Sequence, residues 1–156
     1  MKLIGFQLTN TQTEGNRMNN KDLTDKVHAL VSQRLYKEGI VSIPDILMDL
    51  DYLKSDMYRL WKDGKVPYLE KVCHTNLSKL TLISKEVRKH CLNKGCKESH
   101  KEYRANKSKR PLRFSKSGDW KVERAYSACY IDTNRRMQLK KQKDNKKDDD
   151  RSPDET

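Results

Sequence analysis

The chain has 156 residues, 34% apolar and 36% charged, with a formal net charge of +12 and an isoelectric point near 9.5. That is enough for one domain with tails but a thin supply of core formers, and the excess positive charge favours a polyanionic partner. No stretch approaches the roughly 18 apolar residues of a membrane span. Met1–Phe6 is too short an apolar run for a signal-peptide core, so a soluble, cytoplasmic protein with four reduced cysteines is expected.

Residues 1–20 read as a flexible N-terminal arm. From Lys21, the positions Leu23, Val27, Leu30, Val31 and Leu35 recur at helical spacing, and Gly39 follows as the residue that ends the helix. Ser42 then reads as an N-cap, with Pro44 in the first turn and Asp45 three residues on, opening a short helix over 43–50. Asp51-Tyr52-Leu53 makes a break. Ser55 caps a second short helix to about Lys62, closed by Gly64.

Pro67 opens the longest pattern. Leu69, Val72, Cys73, Leu77, Leu80, Ile83, Val87 and Cys91 form one apolar stripe, which predicts a continuous helix ending at Asn93–Gly95. A helical turn is expected around Glu98–Arg104. Leu112–Gly118 alternates as a short β element would, near 112–116. Trp120, Val122, Ala125, Tyr126, Cys129 and Tyr130 fit a further helix or a strand. The low-complexity 132–156 reads as a disordered charged tail. The expected fold is therefore mainly α, a single small helical domain over 21–131 with a short β element.

The pair of short helices at 43–62 is the most structured clue. Ile46, Leu50, Tyr52, Met57 and Leu60 stand where contacts between two such helices would fall. Trp61-Lys62-Asp63-Gly64-Lys65-Val66-Pro67 resembles the exit from the recognition helix of phage-repressor-type helix-turn-helix domains, and the resemblance covers about residues 43–80. Leu47 departs from it where that family has a small residue, and Asp51 where it has Gly. The resemblance implies DNA binding with Ser55, Tyr58, Arg59 and Lys62 on the exposed face, and Arg59 as the guanine contact. It also suits a homodimer reading palindromic sites. The alternative is a plain helical hairpin with Met57, Leu60 and Trp61 in the core. More widely, 40–130 is similar to a small family of uncharacterised bacterial proteins, a resemblance that implies no activity.

The charge is concentrated. Residues 85–116 hold 12 Lys/Arg and 3 Glu, a net of +9, whereas the 84 residues before them have a net of +2. Within the basic segment 94–116, Lys97, Lys101, Arg104, Lys107, Lys109, Arg110, Arg113 and Lys116 are candidate nucleic-acid contacts. Tyr103 and Phe114 are candidate base-stacking rings, and Ser115–Gly118 could cup a phosphate. DNA is favoured over RNA as the partner. The alternative function is an interaction adaptor in which the basic segment docks an acidic protein.

Cys91, Cys96 and His100, with Cys73 or His74, are the only metal-like cluster. Their spacing lacks the Cys-x2-Cys signal, and Cys73 and Cys91 fall on the apolar stripe, so neither metal nor cofactor is expected. No phosphate-binding Gly-rich loop, His-Glu-x-x-His or Gly-x-Ser-x-Gly occurs, so an enzyme is not expected.

Overall fold

The structure, a computed structural model, describes residues 18–151, with side chains described as far as Lys146. Most of the N-terminal arm (1–17), the last five residues and any part they play lie outside the described residues.

Helix α1 (Asn20–Glu38) starts where the Asn19 side chain accepts the Asp22 N–H at 2.8 Å. It ends at Gly39, whose φ of 71° lets its N–H bond back to Leu35 O. Its buried stripe is Leu23, Val27, Val31 and Leu35. Helix α4 (Leu77–Asn93) lies along that stripe and contributes Leu80, Ile83, Val87 and Cys91. The two helices form the main layer of the core.

The continuous helix expected from Pro67 is broken in two. Leu69–Val72 is a single 3-10 turn, and α4 begins afresh at Leu77. The break has a cause. Cys73 pairs with Leu53 in an isolated β-bridge, the His74 N–H bonds to Tyr52 O at 2.6 Å, and Asn76 caps Lys79 N at 2.8 Å. Side-chain periodicity runs straight through, because both pieces face the same core.

Strands β1 (Ile40–Ser42), β2 (Lys97–His100) and β3 (Ala128–Ile131) form one antiparallel sheet in the order β1-β3-β2. The strand last in sequence is central, and the register aligns Val41, Tyr130 and Glu98. Two expectations are corrected here and a third, left between helix and strand, is resolved. The helical turn at 98–104 is replaced by β2, because β3 supplies a ladder partner. Residues 112–116 are extended but not a strand; they bond to the 3-10 turn through Leu69 N to Arg113 O and Glu70 N to Phe114 O. The segment 120–131 is helix α5 (Trp120–Ser127) followed directly by β3.

Helices α2 (Ile43–Asp49) and α3 (Ser55–Lys62) stand where the two short helices were expected. Ser42 caps α2 and Pro44 sits in its first turn. Asp51 takes a φ of 64°, the left-handed turn that Gly would take more easily. Ser55 is not the cap of α3: Lys54 holds that position and makes no side-chain cap bond.

The charged tail expected to be disordered carries helix α6 (Thr133–Arg151). Asp132 caps it by accepting the Arg135 N–H at 3.0 Å. Arg135 and Arg136 then reach the last carbonyls of α1, Tyr36 O at 2.7 Å and Glu38 O at 3.1 Å, where the helix dipole favours cations. Low apolar content rules out a packed core, but Met, Gln, Leu, Lys and Arg remain good helix formers.

Candidate nucleic-acid interface

α2 and α3 are packed on different neighbours. α2 rests on α1, β1 and α5, and α3 rests on the 3-10 turn. The anchor of α3 is Trp61, 0% exposed, at the centre of a ring cluster. Its centroid is 5.6 Å from Tyr103 and 5.0 Å from Phe114, and its indole N–H donates to Arg113 O at 2.8 Å. Tyr58 packs 5.7 Å from it, which leaves the Tyr58 ring half-buried rather than presented to solvent. Tyr103 and Phe114 are buried as well, so neither is a stacking platform for a base.

This ring cluster ties the basic loop to α3. Within the loop, Ala105 N donates to Arg110 O and Leu112 N to Tyr103 O, with a bridge between Arg104 and Pro111. The chain therefore doubles back around Asn106–Lys109, where Lys109 takes a φ of 61°. Asn106 clips this tip to the end of α3: its N–H bonds to Lys62 O at 2.8 Å and its side chain to Asp63 Oδ1 at 2.9 Å. Arg110 bonds to Gly64 O at 2.5 Å. Asn106 had no sequence signal, since its partners are more than 40 residues away.

The two segments singled out in the sequence thus meet in one ridge. Lys62 Nζ donates to Arg104 O at 2.8 Å and lies 5.9 Å from the Tyr103 ring centre, and Lys101 Nζ lies 5.2 Å from the same ring. Desolvation lowers the proton affinity of Lys62, and the neighbouring ammoniums of Lys101 and Lys109 lower it further. Arg59, Lys107 and Lys109 are exposed, and the side chains of all three lack an ion pair or hydrogen bond among the described residues. Arg104 is partly committed, to Glu102 at 2.5 Å and to Lys109 O at 2.8 Å. Ser55 is exposed at the far end of α3.

Three of the twelve expected contacts lie off this ridge. Lys97 is on β2. Arg113 folds back onto Ser115 O at 2.7 Å and onto Lys116 O. The Lys116 side chain belongs to a groove between α4 and α5.

The phosphate cup expected at Ser115–Gly118 is already filled from within the chain. Glu123 accepts the N–H groups of Phe114 and Ser115 at 2.9 and 2.7 Å, and Glu70 accepts that of Lys116 at 2.9 Å. Gly118 N is taken by Ser115 Oγ at 3.0 Å. Glu70 also receives the Tyr126 hydroxyl at 2.7 Å. Two internal carboxylates hold the place that an anion would take.

Among the described residues no three His, Cys, Asp or Glu side chains gather as a metal site. Cys91 is fully buried, and that burial pushes its thiol up to about 12. No helix of the described residues is long and apolar enough to cross a membrane. The chain matches no family model, and no curated protein or solved structure is significantly similar to it.

Proposed function

We propose that the protein is a non-enzymatic nucleic-acid-binding protein that grips phosphates with the ridge built from α3 and the 101–110 loop. The observation that carries the reading is the crowding of three cations: Lys62 and Lys101 lie over the Tyr103 ring, and Lys109 is close enough to Lys62 to disfavour its charge. Segment 101–110 holds five basic residues against one acidic one, so the mutual repulsion of the cluster is relieved best by a polyanion. Duplex DNA is the first ligand to test, because a helix edge beside a protruding loop suits a groove and its flanking phosphates. Arg59 is the residue for base contact in this reading, and the Lys and Arg of the loop are positioning contacts.

The test compares two charge-matched variants. Replacing Lys107, Lys109 and Arg110 by Ala removes three cations from the ridge; replacing Lys140, Lys141 and Lys143 by Ala removes three from the exposed part of α6. The ridge variant is expected to lose at least tenfold in affinity for a 25-base-pair duplex at moderate salt, and the α6 variant far less. Equal losses would mean that net charge alone draws the protein to DNA. A protein-interaction role is favoured by a different observation, the apolar groove between α4 and α5.

A further inference from the structure

Helix α4 has a second face that no element of the described residues covers. Leu77, Thr81, Ser84, Lys85 and Arg88 lie on one side of the helix, with the buried Leu80 at their base, and form one wall of an open groove of about 1120 Å³. α5 forms the other wall with Trp120, Lys121, Val122, Arg124 and Ala125, and Ala128 and Tyr130 of β3 lie in its floor. Leu77 is 62% and Trp120 68% exposed, unusual for large apolar side chains that flank the same opening. From Leu77 to Arg88 the wall runs ~17 Å, the length of three helical turns.

The rim decides what would fill it. Lys85, Lys116, Lys121 and Arg124 border the groove, and their side chains have no ion pair or hydrogen bond among the described residues. The rim carboxylates are engaged: Glu70 by Tyr126 and Lys116 N, Glu98 by Arg88 at 3.2 Å with His100 at 3.6 Å. An apolar groove inside a ring of uncommitted cations complements an amphipathic helix with apolar residues on one face and carboxylates beside them. A nucleic-acid strand fits less well. Trp120 is the one exposed aromatic ring among the described groove residues, because Tyr126 and Tyr130 are buried, and a single stacking surface does not hold successive bases.

The geometry points to this groove as the docking site for an acidic amphipathic helix of a partner protein, seated against Trp120 and Leu77 and held at its edges by Lys85, Lys121 and Arg124. The groove shares no residue with the α3 ridge, so the protein carries one surface for phosphates and a separate one for a protein.

The experiment uses the full chain and a fluorescein-labelled 16-residue peptide. The peptide has Leu and Phe at i, i+3, i+4 and i+7 and Glu at most other positions. A second peptide of identical composition has its apolar period scrambled. The first peptide is expected to bind at least tenfold more tightly than the second. Trp120→Ala and Leu77→Ser, both at exposed positions and checked for unchanged circular dichroism, are each expected to weaken it tenfold or more. The ridge variant at 107, 109 and 110 is expected to bind it as the parent does. Equal affinity for the two peptides would reduce the effect to charge and overturn the proposal. So would full binding by Trp120→Ala, or displacement of the peptide by a single-stranded oligonucleotide from the ridge variant. Trp120-dependent self-association of the parent chain that blocks the peptide would assign the groove to a second copy instead.

Discussion

Glu123 Oε2 accepts both the backbone N–H of Ser115 at 2.7 Å and its hydroxyl at 2.5 Å, while the other oxygen takes the N–H of Phe114 at 2.9 Å. One carboxylate on the first turns of α5 therefore fixes the loop that carries Phe114 into the ring cluster. Ser115 is 1% exposed, so its groups have no access to water. Removing the acceptor leaves buried donors unpaired, and Glu123→Ala is expected to cost ~2–4 kcal/mol. Urea denaturation checks this; a loss below about 0.5 kcal/mol would mean that the loop is held by other means.

Trp61 ties three segments together. It packs on Tyr103 and Phe114 and donates to Arg113 O, so it joins α3, the basic loop and the 113–118 loop. Trp61→Ala is expected to cost ~3–5 kcal/mol, and Trp61→Phe less, about the loss of one buried hydrogen bond and a partial ring. Because the same side chain sets the ridge, a folded Trp61→Phe protein should bind DNA more weakly although no cation has been removed. Unchanged affinity would separate the ring cluster from the interface.

Arg59→Ala removes an exposed side chain, so stability should stay within ±0.5 kcal/mol. Its effect on binding should be ~1–3 kcal/mol and restricted to one position of the preferred site. Binding-site selection with both proteins reads this directly. A uniform loss across all sequences would make Arg59 a phosphate contact, and no loss would remove it from the interface.

His28 and His90 stack between α1 and α4 with ring centres 4.3 Å apart. Ser32 faces His90 from α1 at 3.1 Å, His28 bonds to Glu86 at 3.0 Å, and Lys94 lies at the end of α4. Desolvation lowers the pKa of His90 below 6.5, His28 and Lys94 lower it further, and Glu86 opposes them. The unfolded chain therefore binds the proton more readily than the folded one. Stability should fall as pH drops from 6.5 through the folded-state value, and it should be fully present above 6.5. Melting temperatures between pH 7.5 and 5.5 should decline less steeply in His90→Gln than in the parent. Parallel declines would mean that the carboxylates alone govern acid stability.

The helical layer was legible because its signals are local. Leu23, Val27, Val31 and Leu35 all face the core, Gly39 adopts the left-handed turn, and Ser42 accepts the N–H of Asp45. The sheet was not legible. Strands of three and four residues carry no measurable alternation, and each exists only because Tyr130 finds Val41 on one side and Glu98 on the other. The basic residues of the candidate site were visible as charge. What escaped was their arrangement: the Asn106 clip joins positions 43 residues apart, and the Glu70 and Glu123 carboxylates close a loop that reads in isolation as an anion cup. The wall of the groove was hidden too, because Leu77 belongs to the apolar stripe that predicts a core and yet stands exposed.

The most direct test of the central claim is a fluorescence-anisotropy titration of the full chain against duplex DNA, single-stranded DNA and structured RNA between ~50 and 200 mM salt. The account predicts tightest binding to duplex DNA, with log affinity falling linearly in log salt. The slope should be shallower by up to ~3 in the variant lacking Lys107, Lys109 and Arg110. No binding to any of the three at the lowest salt, or a slope unchanged by that variant, would contradict it.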